Sequence, residues 1–367
     1  MMLSAIAAVL LLDGPGAARA QEAVTSKYKT TFYGQIKTDV VYDEHGVAEN
    51  DYAQYVTSKN DNDRDFRLSA RGSRLGFDLK DADKISGKME MDFIGVTDGA
   101  AATAPRLRHA YVNIKSGKTD MLVGQTWHLL PMELPGSNND FLLGYSGALY
   151  SRAPQVRVSY KYDDRWNYAA AVVRPTRKLT DSEGTASGFP QFQAQAQLRH
   201  GKAKFTLAGV IGQWRNTTAG QTTSGRRGDV TLVDFGYNIP LNGKLTLNGQ
   251  LWTGRNLYDF LGGIGNMGYG SDEVKATGGF ANLNIKPAGK AYYNVAVGID
   301  DPVNAKIAAS ATSRTRNTTL LANANCLAYE KVTVSFEIAR QITEYRLTTG
   351  YKNLYNMHYQ TSFKFPF

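Results

Sequence analysis

Segments of about ten residues that alternate apolar and polar side chains recur along this chain, and that period of two is the geometry of a strand with two different faces. "GKMEMDFIG" sets Met89, Met91 and Phe93 against Lys88, Glu90 and Asp92. "QFQAQAQLR" sets Phe192, Ala194, Ala196 and Leu198 against four glutamines and Arg199. "KLTLNGQLW" and "KVTVSFEIA" behave the same way, and the chain ends on it: in "YNMHYQTSFKFPF" the odd positions from Tyr355 to Phe367 are apolar and mostly aromatic, the even ones mostly polar. From Tyr28 onward no stretch reaches the roughly 18 apolar residues that a spanning helix needs.

Short turns punctuate the segments at 80–84, 116–118, 163–165, 200–202, 240–243, 287–290 and 329–331. Longer connections fall between them at 44–66, 95–105, 128–150, 176–188, 215–228, 256–273, 300–316 and 346–353. Seven short and eight long connections alternate, which predicts sixteen strands in up-and-down order. Strands of about ten residues with short turns at one end and long loops at the other describe an outer-membrane barrel. Hydrocarbon offers no partner to a free backbone N–H or C=O, so a spanning sheet must close on itself. Sixteen strands leave an aqueous channel. A β-sandwich has shorter strands and a solenoid has a fixed repeat length; neither fits.

The first twenty residues agree with export. "LSAIAAVLLL" is too short to span a bilayer, and "ARA" at Ala18–Ala20 is a small-x-small cleavage site. The expected organisation is therefore a signal peptide over 1–20 and one barrel over 21–367. Cys326, the sole cysteine, excludes an intramolecular disulfide and is expected to be a small packing residue.

The net charge is +9. Segment 43–66 holds seven acids and two bases, net −5, so the remaining residues carry +9 − (−5) = +14. A basic lumen and a preference for anions follow. Nucleic acid is not an expected partner, because the bases are spread over strands rather than grouped in a stripe.

Other motifs do not carry chemistry. Asp61, Asp63 and Asp65 have calcium-ligand spacing, but Phe66 and Gly72 stand where a calcium loop needs Gly and Glu. Gly263, Gly265 and Gly268 spell a dinucleotide fingerprint without the helix it must open. His45, His109, His128, His200 and His358 form no metal spacing. No catalytic group, cofactor or metal is expected, and the chain does not read as an enzyme.

"SRLGFDL" (73–79), "PRLRHAYVNI" (105–114), "MLVGQTWHLLPMELPG" (121–136) and "SRAPQVRVSYKY" (151–162) together resemble Gram-negative trimeric porins, most of all the DcaP-like porins. The chain does not show the long coiled-coil segment that follows the signal in the best-known DcaP-like pattern. The resemblance implies an all-β, 16-stranded antiparallel transmembrane β-barrel whose third extracellular loop, here 128–150, folds inward. It implies arginines of the early strands on one wall of the constriction, here Arg74, Arg106 and Arg152, facing the loop acids Glu133 and Asp140. Parity independently turns Arg74, Arg106 and Arg108 to the lumen, because a charge facing mid-bilayer lipid costs about 2–4 kcal/mol. The same parity puts Leu107 and Tyr111 toward lipid and His109 on the outer face, at a subunit contact.

The reading that results is an outer-membrane porin of a Gram-negative bacterium, passing small hydrophilic solutes with a bias to anions such as carboxylates. Its expected partners are outer-membrane lipid and lipopolysaccharide, two further copies in a homotrimer, the barrel-assembly machinery through Phe367, and the anionic solutes. A channel with a saturable binding site, or a mainly structural or adhesive barrel, are the alternatives. The closing strand is expected to pair with the first, Phe363, Phe365 and Phe367 toward lipid, with pairing stopping just before Pro366.

Overall fold

The alternation becomes one antiparallel sheet that returns to its own first strand. The computed structural model describes residues 27–367, apart from 49–51, 58–62, 96–103, 177–180, 182–183 and 218–224, so the signal segment 1–20 and Asp61 lie outside the described residues. Among the described residues seventeen strand segments are present, but Asp65–Ser69 and Arg74–Asp81 lie end to end against the same strand and make one, leaving sixteen.

In order these are β1 (Lys29–Asp43), β2 (Asp65–Ser69 with Arg74–Asp81), β3 (Ile85–Gly95), β4 (Ala104–Ser116), β5 (Thr119–Trp127), β6 (Arg152–Lys161), β7 (Trp166–Val173) and β8 (Gln191–His200). The second half is β9 (Ala203–Arg215), β10 (Arg227–Pro240), β11 (Leu245–Arg255), β12 (Lys275–Ile285), β13 (Ala291–Pro302), β14 (Arg314–Tyr329), β15 (Val332–Leu347) and β16 (Gly350–Pro366). Each strand pairs with the next, and β16 pairs with β1, so no edge is left to meet lipid.

Parity is read most easily on β16. Tyr355, Tyr359, Phe363 and Phe365 are exposed on the outer surface, while Asn356, His358, Gln360 and Ser362 are buried inside. Along β14 and β15, Leu320, Phe336 and Ile338 face out and Asn317, Thr319, Ser335 and Glu337 face in.

The interior departs from a simple polar lining. Lumen-facing Val210, Leu232, Trp252, Phe280 and Leu321 form apolar clusters with Leu130, Leu142, Leu149, Leu257 and Phe260 from the long connections. Those connections are therefore attached to the inner wall by hydrophobic contact.

Three expectations need correction. First, β4 carries a bulge at Arg108: Glu90 lies opposite His109 but Met91 lies opposite Leu107. One extra residue reverses the alternation beyond it. His109 is therefore buried against Thr126 (Nδ1 to Oγ1, 3.0 Å) instead of facing out at a subunit contact. Tyr111, opposite the lumen residue Lys88, also points inward rather than toward lipid, and Val112 and Ile114 face out.

Second, pairing does not stop before Pro366. Gly34 and Phe367 exchange both backbone bonds, Gly34 N to Phe367 O at 3.0 Å and Phe367 N to Gly34 O at 3.1 Å. The next pair, Gln35 and Pro366, is then a non-bonded one, so the missing proline N–H points away from β1. On that other side the ladder to β15 has already ended at Thr333 and Lys364, so no bond is forfeited.

Third, the connection expected at 346–353 is a tight turn, because β15 runs to Leu347 and β16 starts at Gly350.

Candidate channel constriction

β1 to β4 bring a charged network to one side of the lumen. The ladders align Arg74, Asp92 and Arg106 on adjacent strands. Arg106 grips Asp92 with two bonds, Nε to Oδ1 at 3.0 Å and Nη2 to Oδ2 at 2.6 Å. Arg108 donates to Asp92 at 2.8 Å and to Glu90 at 2.5 Å. Such fork-to-carboxylate bonds are short and charge-assisted. Arg74 donates to Asp140 at 2.7 Å, and Lys37 stands 4.0 Å from the same carboxylate and 3.0 Å from Asp39. Burial would raise the Asp140 carboxyl, but the Lys37 ammonium and the Arg74 guanidinium outweigh it and hold it down at about 2.

The opposite side is mostly uncharged, with Glu337 as a carboxylate beside a row of amides. Asn248 (β11), Asn282 (β12), Asn294 (β13) and Asn323 (β14) form a belt of amides, with Asn282 donating to Asn248 at 2.8 Å and Asn294 to Asn323 at 3.0 Å. This belt grips connection 128–151 by its backbone. Asn248 donates to Leu134 O at 3.0 Å, and Asn323 to Gly136 O at 2.6 Å. Glu337 accepts from the amides of Asn138 (2.7 Å) and Asn139 (3.0 Å). A Cβ at Gly136 would stand 2.2 Å from Asn294 Oδ1, so any larger residue would displace that amide. The connection thus bonds to inward-facing side chains from β11, β14 and β15 on one side and from β1 and β2 on the other.

Between these walls, at the loop end, lies a cavity of about 480 Å3. Four guanidinium groups line it, those of Arg106, Arg152, Arg174 and Arg314. The aromatic faces come from three connections and the strand ends. Arg152 lies over the Trp127 ring at 4.3 Å, Arg314 over Tyr55 at 4.3 Å, and Arg106 over Phe141 at 5.7 Å. Arg314 also donates to Ile264 O at 3.0 Å. Arg152 differs from the arginines of the charged network. No carboxylate lies within salt-bridge distance of it among the described residues, and its Nη1 is buried without a hydrogen-bond partner among them.

The six residues singled out from sequence therefore divide. Arg74 and Asp140 meet each other; they do not face each other across water. Arg106 and Arg108 are brought together by Asp92. Glu133 is elsewhere, ion-paired with Lys204 on β9 and accepting from Asn238 on β10 at 3.1 Å. Arg152 lines the cavity. Asp92 and Glu90 went unnoticed as site residues, although their alternation with methionines already turned them to the lumen. Glu337 was turned to the lumen in the same way by the alternation of "KVTVSFEIA", whereas Lys37 and Arg314 carried no local signal.

The model of the DcaP outer membrane protein family matches residues 16–272. The chain belongs to the DcaP outer-membrane protein family. It is an outer-membrane channel of the porin type. No curated protein matches it. Among solved structures, this DcaP-family chain is similar to the outer membrane channel DcaP of Acinetobacter baumannii, with TM-score 0.77 and 17% identity over 94% of this chain and 99% of the other. It is similar in fold to an anion-selective porin from Comamonas acidovorans (TM-score 0.62, 13% identity, 93% and 100% covered). A Salmonella typhi OmpF complex with daunomycin shares the fold too (TM-score 0.62, 11% identity, 93% and 98% covered).

Proposed function

We propose that this DcaP-family channel is a passive porin biased to small anions, carboxylates in particular, and that connection 128–150 with Arg74, Arg106, Arg108, Arg152 and Asp140 forms its constriction, while Glu133 holds the connection to β9 and β10. The observation that carries the reading is Arg152. The other three arginines have acids of their own, so they contribute little net field. Arg152 has none among the described residues, and its planar fork suits the two oxygens of a carboxylate. Positive groups in a narrow, low-dielectric neck also concentrate counter-ions there.

The arginine-lined cavity beside Arg152 favours one variant of this reading, a weak saturable site in the same neck; binding must stay weak for a solute to leave. We further propose that the chain is exported by a signal over 1–20, assembles through Phe367 and forms homotrimers.

Liposome-swelling rates test the proposal. Mono- and dicarboxylates should enter faster than neutral sugars of equal size, and Arg152→Gln should narrow that difference. Equal rates for acids and sugars in the wild-type protein would overturn it. Block of single-channel current by a carboxylate at millimolar concentration would select the saturable variant.

A further inference from the structure

The outer surface of β6 to β12 carries a groove of about 960 Å3. One ladder row runs along it across seven strands: Val156, Val172, Phe192 and Ile211, then Thr231, then Arg255 and Lys275. The row is apolar at one end and doubly cationic at the other. Arg255 ends β11 and Lys275 begins β12, so the cations lie where the long connections emerge. In outer-membrane barrels that end is extracellular.

A second pair of like charges stands nearby, Arg215 directly opposite Arg227 at the ends of β9 and β10. Like charges placed directly opposite destabilise a ladder. Two carboxylates offset part of this charge. Glu273 accepts from Arg255 at 3.0 Å, and Asp229 accepts from Gln213 at 3.1 Å. Of the four cations, Arg255 has an ion pair, and Arg215, Arg227 and Lys275 have none among the described residues.

A neighbouring apolar groove, beside Leu251, Val297 and Ile299, ends instead at Asp301. The charge at the loop end thus distinguishes two otherwise similar surfaces.

We propose that the β6–β12 groove binds the phosphorylated, multiply acylated glycolipid of the outer leaflet, the lipopolysaccharide class, with acyl chains along Val172, Phe192 and Ile211 and a phosphate between Arg255 and Lys275. The amphiphile matches the row end for end: hydrocarbon where the wall is apolar, an anion where two cations oppose each other. Acyl burial contributes equally whatever the headgroup, so selectivity rests on the cations.

Native mass spectrometry of the detergent-purified full-length protein tests this with phosphorylated lipid A, the same lipid dephosphorylated, and phosphatidylethanolamine as probes. Phosphorylated lipid A should be retained as a discrete adduct. Retention should fall about thirtyfold on dephosphorylation, and equally in R255Q/K275Q, given about 1 kcal/mol for each of the two basic residues near an anionic surface. R316Q, on the rim of β14, should leave retention unchanged. The dephosphorylated probe needs no variant to fold, and unchanged conductance reports folding of the variants. Equal retention of phosphorylated and dephosphorylated lipid, or an unchanged R255Q/K275Q, would overturn the proposal. So would a change of oligomeric state in R255Q/K275Q with lipid retention intact, which would assign the groove to a second copy of the chain.

Discussion

Arg74 on β2 donates to Asp140 at 2.7 Å, tying the middle of connection 128–151 to the strand wall from 66 residues away. Lys37 donates to the neighbouring carbonyl of Asn138 at 2.8 Å. The acid on the loop therefore neutralises the basic wall and anchors the loop at the same point.

Asp140→Asn should loosen that anchor and leave one more positive charge in the neck. We expect greater open-channel current noise and a stronger anion preference. The sign of the pH effect follows from the carboxyl being held at about 2. An ordinary Asp titrates near 3.9. The anchoring is fully present above that value and is lost as pH falls from about 4 through about 2. Current noise in the wild type should rise over that window and stay flat above it, while Asp140→Asn should be noisy throughout.

Glu337 holds the same loop from the other wall with two backbone bonds, at 2.7 and 3.0 Å. Glu337→Leu leaves two amides without their acceptor, a loss of about 1–3 kcal/mol for each buried group. The temperature of the heat-modifiable mobility shift should fall relative to wild type, and anion preference should change less than in Asp140→Asn.

The bulge at Arg108 makes adjacent residues unequal. Tyr111 faces the lumen and Val112 faces out, 48% exposed. Val112→Lys should lose up to about 2–4 kcal/mol of folding stability, less if the residue lies near the interface. Tyr111→Lys should assemble normally. Strict alternation from Leu107 would give the reverse result, so yield of the two variants in outer-membrane fractions decides between them.

Closure of the barrel gives another test. The Phe367 ring lies over Gly34, where a Cβ would stand 2.6 Å from the ring's Cζ. Deleting Phe367 removes two backbone bonds, each worth about 1 kcal/mol. Gly34→Val keeps the terminus but displaces the ring and also crowds the Arg74 carbonyl oxygen, 2.4 Å from the same Cβ. Both should lower the folded fraction in the outer membrane, the deletion more.

The fold was legible because lipid on one side and water on the other impose the same period on every strand, and even β16 shows it from Tyr355 to Phe365. The reading failed where one residue was inserted: nothing in "PRLRHAYV" announces the bulge, so everything after Arg108 came out on the wrong face. Pro366 failed for a different reason. A missing N–H matters only on the side that has a partner, and the sequence does not say which side that is. At the proposed constriction, the lumen-facing arginines were visible as charges that lipid would reject. Asp140 was named opposite them, but Asp92 and Glu90 were not assigned, because pairing depends on register between strands, which sets Asp92 between Arg74 and Arg106. The asparagine belt was invisible for the same reason: its members come from four strands, each with an unremarkable polar residue.

The central claim is that an unmatched guanidinium in the neck makes this channel prefer anions. The reversal potential of the reconstituted channel in a planar bilayer, under a potassium chloride gradient, tests it most directly. The wild type should show a reversal potential displaced toward that of chloride, and Arg152→Gln should move it back toward zero. A wild-type reversal potential displaced toward that of potassium would contradict the account.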